Sequence, residues 1–328
     1  MTDLSTQYMG LTLKNPIIIG SSGLTDSVAN IKKLEANGAA AVVLKSIFEE
    51  QIMMEAESMR PGYLTHTEAE DYISRYTKTH NLNEYLKLVE NTKKEVSIPV
   101  IASINCASAD EWVSFARSIE NSGADGLELN IFIMPGNIKQ KGADIEQLYF
   151  DIVGAVKEQV SIPLAVKMSF YFSGLANMIF NLSVRNIAAI VLFNRFYRPD
   201  IDLKEMKIVS SHVFSTPEEN TLTLRWIGMM ADQVRCDLAA STGIHNGFAV
   251  LKNLLAGAKA VQIASCIYQN GPKYIQTMLE QIGGWMRERK YKSMGKVIGK
   301  LSQAKIQNPI LYERSQFMKY FSEAGYKI

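Results

Sequence analysis

Cysteine is scarce in this chain, with three among 328 residues. Cys106, Cys236 and Cys266 are far apart, odd in number and show no Cys-x-x-Cys spacing. That pattern gives neither a disulfide framework nor a zinc site, and it suits a reducing compartment. A charge block of either sign is also missing: 35 Lys and Arg against 33 Asp and Glu leave a formal charge of +2. Such a balance carries no electrostatic footprint for nucleic acid or an anionic membrane. No apolar run approaches the ~18 residues of a membrane span, and the first residues lack the basic and then apolar pattern of a signal peptide. The expectation is a cytoplasmic protein that acts on a small molecule, with no nucleic-acid or membrane partner and no metal.

The chain is 47% hydrophobic and 21% charged, which suits a soluble α/β core. Buried-strand patterns occur at residues 15–23, 38–46, 98–105, 125–131, 162–169, 187–194, 236–242 and 258–264, with helical segments between them. Local repeats support that count. Gly38, Gly123 and Gly257 each precede Ala between a helix and a strand, and Val-Ser-Ile-Pro recurs at Val96 and Val160. Eight strand-then-helix units predict a (β/α)₈ TIM barrel with a short N-terminal segment. No Gly-x-Gly-x-x-Gly turn supports a doubly wound sheet instead.

The expected division is a barrel over residues 1–303 and a C-terminal helical extension over 304–328. With Ile310, Leu311, Tyr312, Phe317, Met318, Tyr320 and Phe321, the extension is too apolar to be free, so it packs on the barrel or on a second subunit, as in a homodimer. Two long loops lie at about 47–80 and 195–219, and the first is expected to cover a site.

Strand alternation assigns faces. In residues 164–169 the aliphatic Leu164, Val166 and Met168 belong against the helices, which turns Ala165, Lys167 and Ser169 into the barrel. The same parity sends Lys45, Ser103, Asn105, Glu128, Asn130 and Asn194 inward, near the strand ends where barrel enzymes keep their active sites. A buried lysine must be paired or lose its proton, so Lys45, Lys167 and Glu128 compensate one another or meet an anionic ligand. An ordinary ion pair in the barrel satisfies the same pattern, and so does a Schiff-base lysine at Lys167 assisted by Glu128. Residues 241–244 after the seventh strand and Ala264-Ser265 after the eighth are small enough for main-chain N–H groups to approach a phosphate.

In order along the chain, Asn15-Pro16, Ser21-Ser22-Gly23, Lys45-Ser46, Glu128-Leu129-Asn130, Val166-Lys167, Asn194, Ser241 to Ile244 and Gly257 to Ile263 form a series. From about Leu11 to Leu301 this series resembles the FMN-containing dihydroorotate dehydrogenases, more closely their soluble single-barrel class. The resemblance implies an oxidoreductase of pyrimidine biosynthesis that converts dihydroorotate to orotate by hydride transfer to flavin N5. Ser22, Gly23, Lys45 and Ser46 would line the flavin, and Asn130 would hydrogen-bond near its ring. Lys167 would sit by N1 and the C2 carbonyl, and Asn194 would contact flavin or substrate. Thr242, Gly243, Ala264 and Ser265 would hold the FMN phosphate.

The sequence departs from that family after the fourth strand, where family members carry a Cys or Ser base in an Asn-Leu-Ser-Cys-Pro-Asn type of loop. Ile133 stands there, and an aliphatic side chain accepts no proton. His66 is the first candidate to replace it, ahead of Glu68, His80, His245 and Cys106, and is paired with Lys167 as the catalytic set. The departure leaves open a flavoprotein with a different substrate, or a non-catalytic flavin binder.

Overall fold

A computed structural model describes residues 2–48, 67–105, 109–196, 198–211 and 213–313 of the chain. It begins with an antiparallel hairpin of β1 (Thr6–Tyr8) and β2 (Leu11–Leu13), followed by β3 (Ile17–Ile19), α1 (Val28–Ala36), β4 (Ala41–Val43) and β5 (Ile47–Phe48). The next elements are α2 (Thr67–Glu95), β6 (Val100–Asn105), α3 (Ala109–Asn121), β7 (Gly126–Asn130), α4 (Gly142–Lys157) and β8 (Leu164–Met168). Beyond them lie α5 (Leu175–Ser183), β9 (Ala189–Leu192), a second hairpin of β10 (Pro199–Asp202) and β11 (Lys207–Ser210), and α6 (Asn220–Met230). The described chain finishes with β12 (Asp237–Ser241), α7 (Gly247–Ala256), β13 (Ala260–Ile263), α8 (Ser265–Asn270), α9 (Tyr274–Glu288) and α10 (Ile310–Glu313).

The main sheet runs β4-β3-β13-β12-β9-β8-β7-β6, and pairing of β4 with β6 closes it into an eight-stranded parallel TIM barrel. β5 adds a short pairing at the upper end of β6. Alternation separates two apolar layers. Leu164, Val166 and Met168 of β8 lie in the large layer between strands and helices, whereas Ala165 joins the layer along the axis. The axial layer is rich in alanine, with Ala41, Ala165, Ala189, Ala239 and Ala260.

Small inner residues leave room for the N-terminal hairpin, whose Tyr8, Met9 and Leu13 are buried in the same layer. Its contacts identify the end of the barrel that it closes. Met9 N–H donates to Asp237 at the start of β12, Thr6 donates to the carbonyl of Lys259 just before β13, and the Met9 Cε lies against Gly126 at the start of β7. The N-terminal ends of the strands are therefore plugged, and the opposite ends are left to form a mouth.

Packing also explains the repeats. Glu35 of α1 accepts from Ser97 N–H and Oγ and from Ile98 N–H, and Glu120 of α3 accepts in the same way from Ser161 and Ile162. Each Val-Ser-Ile-Pro turn is thus fixed by a glutamate from a neighbouring helix. Gly257 ends α7 with φ +129, and a Cβ there would overlap the side chain of Ala231, so the glycine is required by both backbone and contact.

Two loop expectations differ from the structure. α2 begins at Thr67, inside the span of about 47–80 expected to be the first loop. The second loop carries the β10–β11 hairpin, whose directly paired Ile201 and Ile208 are both exposed. Part of the C-terminal extension is described: the α10 residue Tyr312 donates to the carbonyl of Leu301, and its ring packs on Gly228 of α6. Among the described residues no helix is long and apolar enough to cross a membrane.

The Tyr8 hydroxyl is fully buried and has no hydrogen-bond partner among the described residues. An unsatisfied buried hydroxyl carries a desolvation cost of about 1–3 kcal/mol. Tyr8→Phe is therefore expected to raise stability by roughly 1 kcal/mol, seen as a higher urea midpoint with an unchanged slope. A lower midpoint would show that the hydroxyl is satisfied.

Candidate active site

The open end of the barrel carries a pocket whose lining includes Ser21, Lys167, Asn194, Arg195, Gln262 and residues 241–244 and 263–265. Every one of these positions follows from a strand reaching its C-terminal end. The lining contains two cationic side chains, several hydroxyls and amides, and no carboxylate.

Beneath it sits Glu128, 1% exposed and one inward position below Asn130 on β7. Register sets Glu128 level with Ala165 and sets Asn130 level with Lys167, so the carboxylate belongs to the layer under the lysine. Lys167 Nζ donates to Gln262 Oε1 at 2.9 Å, Gln262 Nε2 donates to Glu128 Oε2, and Lys167 Nζ lies 4.0 Å from Glu128 Oε1. Glu128 Oε1 is buried with no hydrogen-bond partner among the described residues. Asn194 Nδ2 donates to Asn130 Oδ1 at 2.5 Å, which locks the two strand-end amides together.

A second polar chain leads inward from the pocket. Ser21 Oγ and Ser46 Oγ are 3.0 Å apart, Ser46 Oγ and Ser103 Oγ 2.7 Å, and Ser46 N–H donates to Ser21 Oγ. The Tyr85 hydroxyl of α2 receives Ser103 N–H and donates to Ser103 C=O, so helix and strand are pinned at that level. Burial pushes the Tyr85 phenol well above its ordinary range.

Also in the lining, Thr242 and Gly243 follow one another with φ +77 and +74, a left-handed turn at the end of β12. Thr242 Oγ1 donates to Phe193 C=O, Ser265 Oγ accepts from Ser215 N–H, and Ser215 Oγ lies 3.1 Å from His245 Nε2. Arg195 closes the rim by donating to Glu219 and to the carbonyls of Val213 and Phe214. Glu219 is held below the usual carboxylate range despite its partial burial, through the hydrogen bond from Arg195 and that from Thr216 N–H.

The expected site residues divide accordingly. Lys167, Asn194, Thr242, Gly243, Ala264 and Ser265 line the pocket, with Asn130 joined to it through Asn194 and Ser46 through Ser21. Ser22 instead caps the turn Gly23–Thr25, its Oγ donating to Gly20 C=O and accepting from Leu24 N–H. Gly23 packs against the Tyr268 hydroxyl. Lys45 is exposed at the rim, not buried as its inward parity suggests, because β4 ends before it. His66 and Cys106 lie outside the described residues, as do the side chains of Glu68 and His80.

Ile133 is half-buried against the outer apolar layer, and its neighbour Phe132 stacks on Phe196 with centroids 4.0 Å apart. Burial pushes the thiols of Cys236 and Cys266 up to about 12, which keeps both protonated near neutral pH. Gln262 and Arg195 were not among the expected residues. Gln262 had a readable signal: it is the one polar residue in β13 and shares the inward parity of Ala260. Arg195 had none, since it lies past the strand end.

A family model described as dihydroorotate dehydrogenase matches residues 3–286. The chain is 27% identical over 307 residues to the dihydroorotate dehydrogenase B (NAD(+)), catalytic subunit, of Thermoplasma volcanium, covering 91% of this chain and 98% of that protein. It is 26% identical over 312 residues to the protein of the same name from Methanothermobacter thermautotrophicus, covering 90% and 97%. It is 24% identical over 306 residues to the putative dihydroorotate dehydrogenase A (fumarate) of Aeropyrum pernix, covering 90% and 97%.

A Cβ at position 243 would overlap the backbone nitrogen of Asn220 and approach its Cα to 2.8 Å, in a left-handed conformation. Gly243→Ala is expected to lose at least about 2 kcal/mol of stability, since strained backbone alone costs ~1–3 kcal/mol. Chemical denaturation reads this, and an unchanged midpoint would contradict the close approach of the turn to α6.

Proposed function

This chain belongs to the dihydroorotate dehydrogenase family, and from that premise we propose that it is an FMN-dependent oxidoreductase acting on a CH–CH bond of dihydroorotate or a closely related small molecule. The observation that carries the proposal is the donor set of the mouth: Lys167, Arg195, hydroxyls and main-chain N–H groups with no carboxylate in the lining. Such a set suits a phosphate at one end and an electron-accepting heterocycle at the other, so the residues present fit FMN.

When bound, the flavin supplies the hydride acceptor at its N5. The turn at Thr242 and Gly243, with Ala264 and Ser265 opposite, would hold the phosphate. Lys167 would set its ammonium against the pyrimidine end of the ring, where positive charge favours the anionic reduced form. The bonded amides of Asn130 and Asn194 would orient ring and substrate together, since neither can rotate without breaking the 2.5 Å contact.

Removal of the substrate proton needs an acceptor that Ile133 does not provide. We assign that role to His66, the first candidate between β5 and α2 in the chain. The Schiff-base alternative is less well supported, because Lys167 Nζ already donates to Gln262 and lies 4.0 Å from Glu128, and a nucleophilic amine would have to give up that contact. The name "catalytic subunit" borne by relatives supports a second polypeptide as electron acceptor, beside or instead of a homodimer.

Purified protein is expected to be yellow, with about one FMN per chain, and to bleach when dihydroorotate is added without oxygen. A colourless protein that takes up no FMN would overturn the cofactor. A yellow protein that does not bleach would restrict the proposal to another substrate or to flavin binding alone.

His66→Ala should keep the FMN content and slow substrate-driven bleaching by ~10²–10⁴, the usual contribution of a general base. An unchanged rate in stopped-flow would remove His66 from the mechanism.

A further inference from the structure

A lysine and a carboxylate buried on the same barrel axis ordinarily close to direct contact at about 2.8 Å. Lys167 and Glu128 do not: they stay 4.0 Å apart. The amide of Gln262 lies between them, accepting from the ammonium at 2.9 Å and donating to the carboxylate. All three side chains are buried, with Gln262 3% exposed, Lys167 8% and Glu128 1%. They come from three strands, and only Lys167 and Gln262 reach the pocket lining.

The unsatisfied oxygen gives the direction of the tension. Glu128 Oε1 has no hydrogen-bond partner among the described residues, and the Lys167 ammonium lies 4.0 Å from it. An unpartnered carboxylate oxygen in a dry interior attracts the nearest cation. What keeps the ammonium up at the pocket floor is its bond to Gln262.

We propose that Gln262 is a positioning residue that holds the Lys167 ammonium off Glu128 and toward the pocket, so that its charge acts on the bound ligand instead of being neutralised from below. Gln262 needs no contact with the ligand to do this. The geometric claim stands on the unliganded protein, while its redox consequence rests on the FMN reading proposed above.

The variant Gln262→Met keeps the side-chain length and removes both hydrogen bonds. Lys167 is then expected to drop onto Glu128, to within about 3 Å, in a crystal structure of the unliganded variant. A Lys167 that keeps its separation there would overturn the proposal whether or not the protein binds FMN. With FMN bound, the same variant should lose at least tenfold in the preference for reduced over oxidised flavin, a fall of about 30 mV in the two-electron midpoint.

Glu128→Gln removes the carboxylate onto which the lysine would fall. In that background Gln262→Met should shift the midpoint by less than threefold in the same preference. Equal shifts in both backgrounds would mean that Gln262 acts only as packing, and would sink the proposal. Gln262→Asn, too short to span the pair, should repeat the effect if the methionine variant does not fold. A wild-type protein that takes up no FMN fails the function proposed above and leaves the unliganded structure to decide the role of Gln262.

Discussion

The burial of Glu128 inside a parallel barrel is the constraint around which the mouth of this molecule is arranged. A carboxylate that is 1% exposed must be compensated by donors from other strands, because water is not there to do it. The compensation comes from Gln262 directly and from Lys167 at one remove. Its effect is to tie β7, β8 and β13 together through one polar chain between the apolar axis and the pocket. Below that polar chain the alanine-lined interior holds Tyr8, Met9 and Leu13 of the N-terminal hairpin, which closes the end opposite the mouth. Fold and site are therefore joined at three side chains.

Much of this was readable from the chain, for a reason that can be stated. Strand periodicity is two, so a single run such as residues 164–168 fixes both the outward Leu164, Val166 and Met168 and the inward Lys167, and the two apolar layers divide along that parity. The positions that matter at the mouth are strand-end positions, which is why Asn130, Lys167, Asn194 and the turn at Thr242 could be named. Lys45 shows the limit of parity: it gives direction, not depth, and β4 stops two residues before it. Gln262 carries no charge to mark it, although it shares the inward parity of Ala260 in β13. The β10–β11 hairpin left no trace, since strands that bury neither face have no apolar alternation to read.

The two sides of the mouth stand differently. The floor and the turn at Thr242 and Gly243 are built from strand ends and tight turns, with hydrogen bonds that cross between elements. The loop after β7 offers Phe132 stacked on Phe196 and Ile133 set into the outer apolar layer, an apolar wall in the place where the family resemblance led one to expect a proton acceptor. Loop residues of this kind can change without disturbing the barrel that carries the floor.

The measurement that bears most directly on this account is a crystal structure of the protein soaked with FMN. The account places the phosphate on the main chain at Thr242, Gly243, Ala264 and Ser265 and the ring within hydrogen-bond reach of Lys167, with Gln262 still between Lys167 and Glu128. A phosphate bound elsewhere, or a ring out of reach of Lys167, would contradict it.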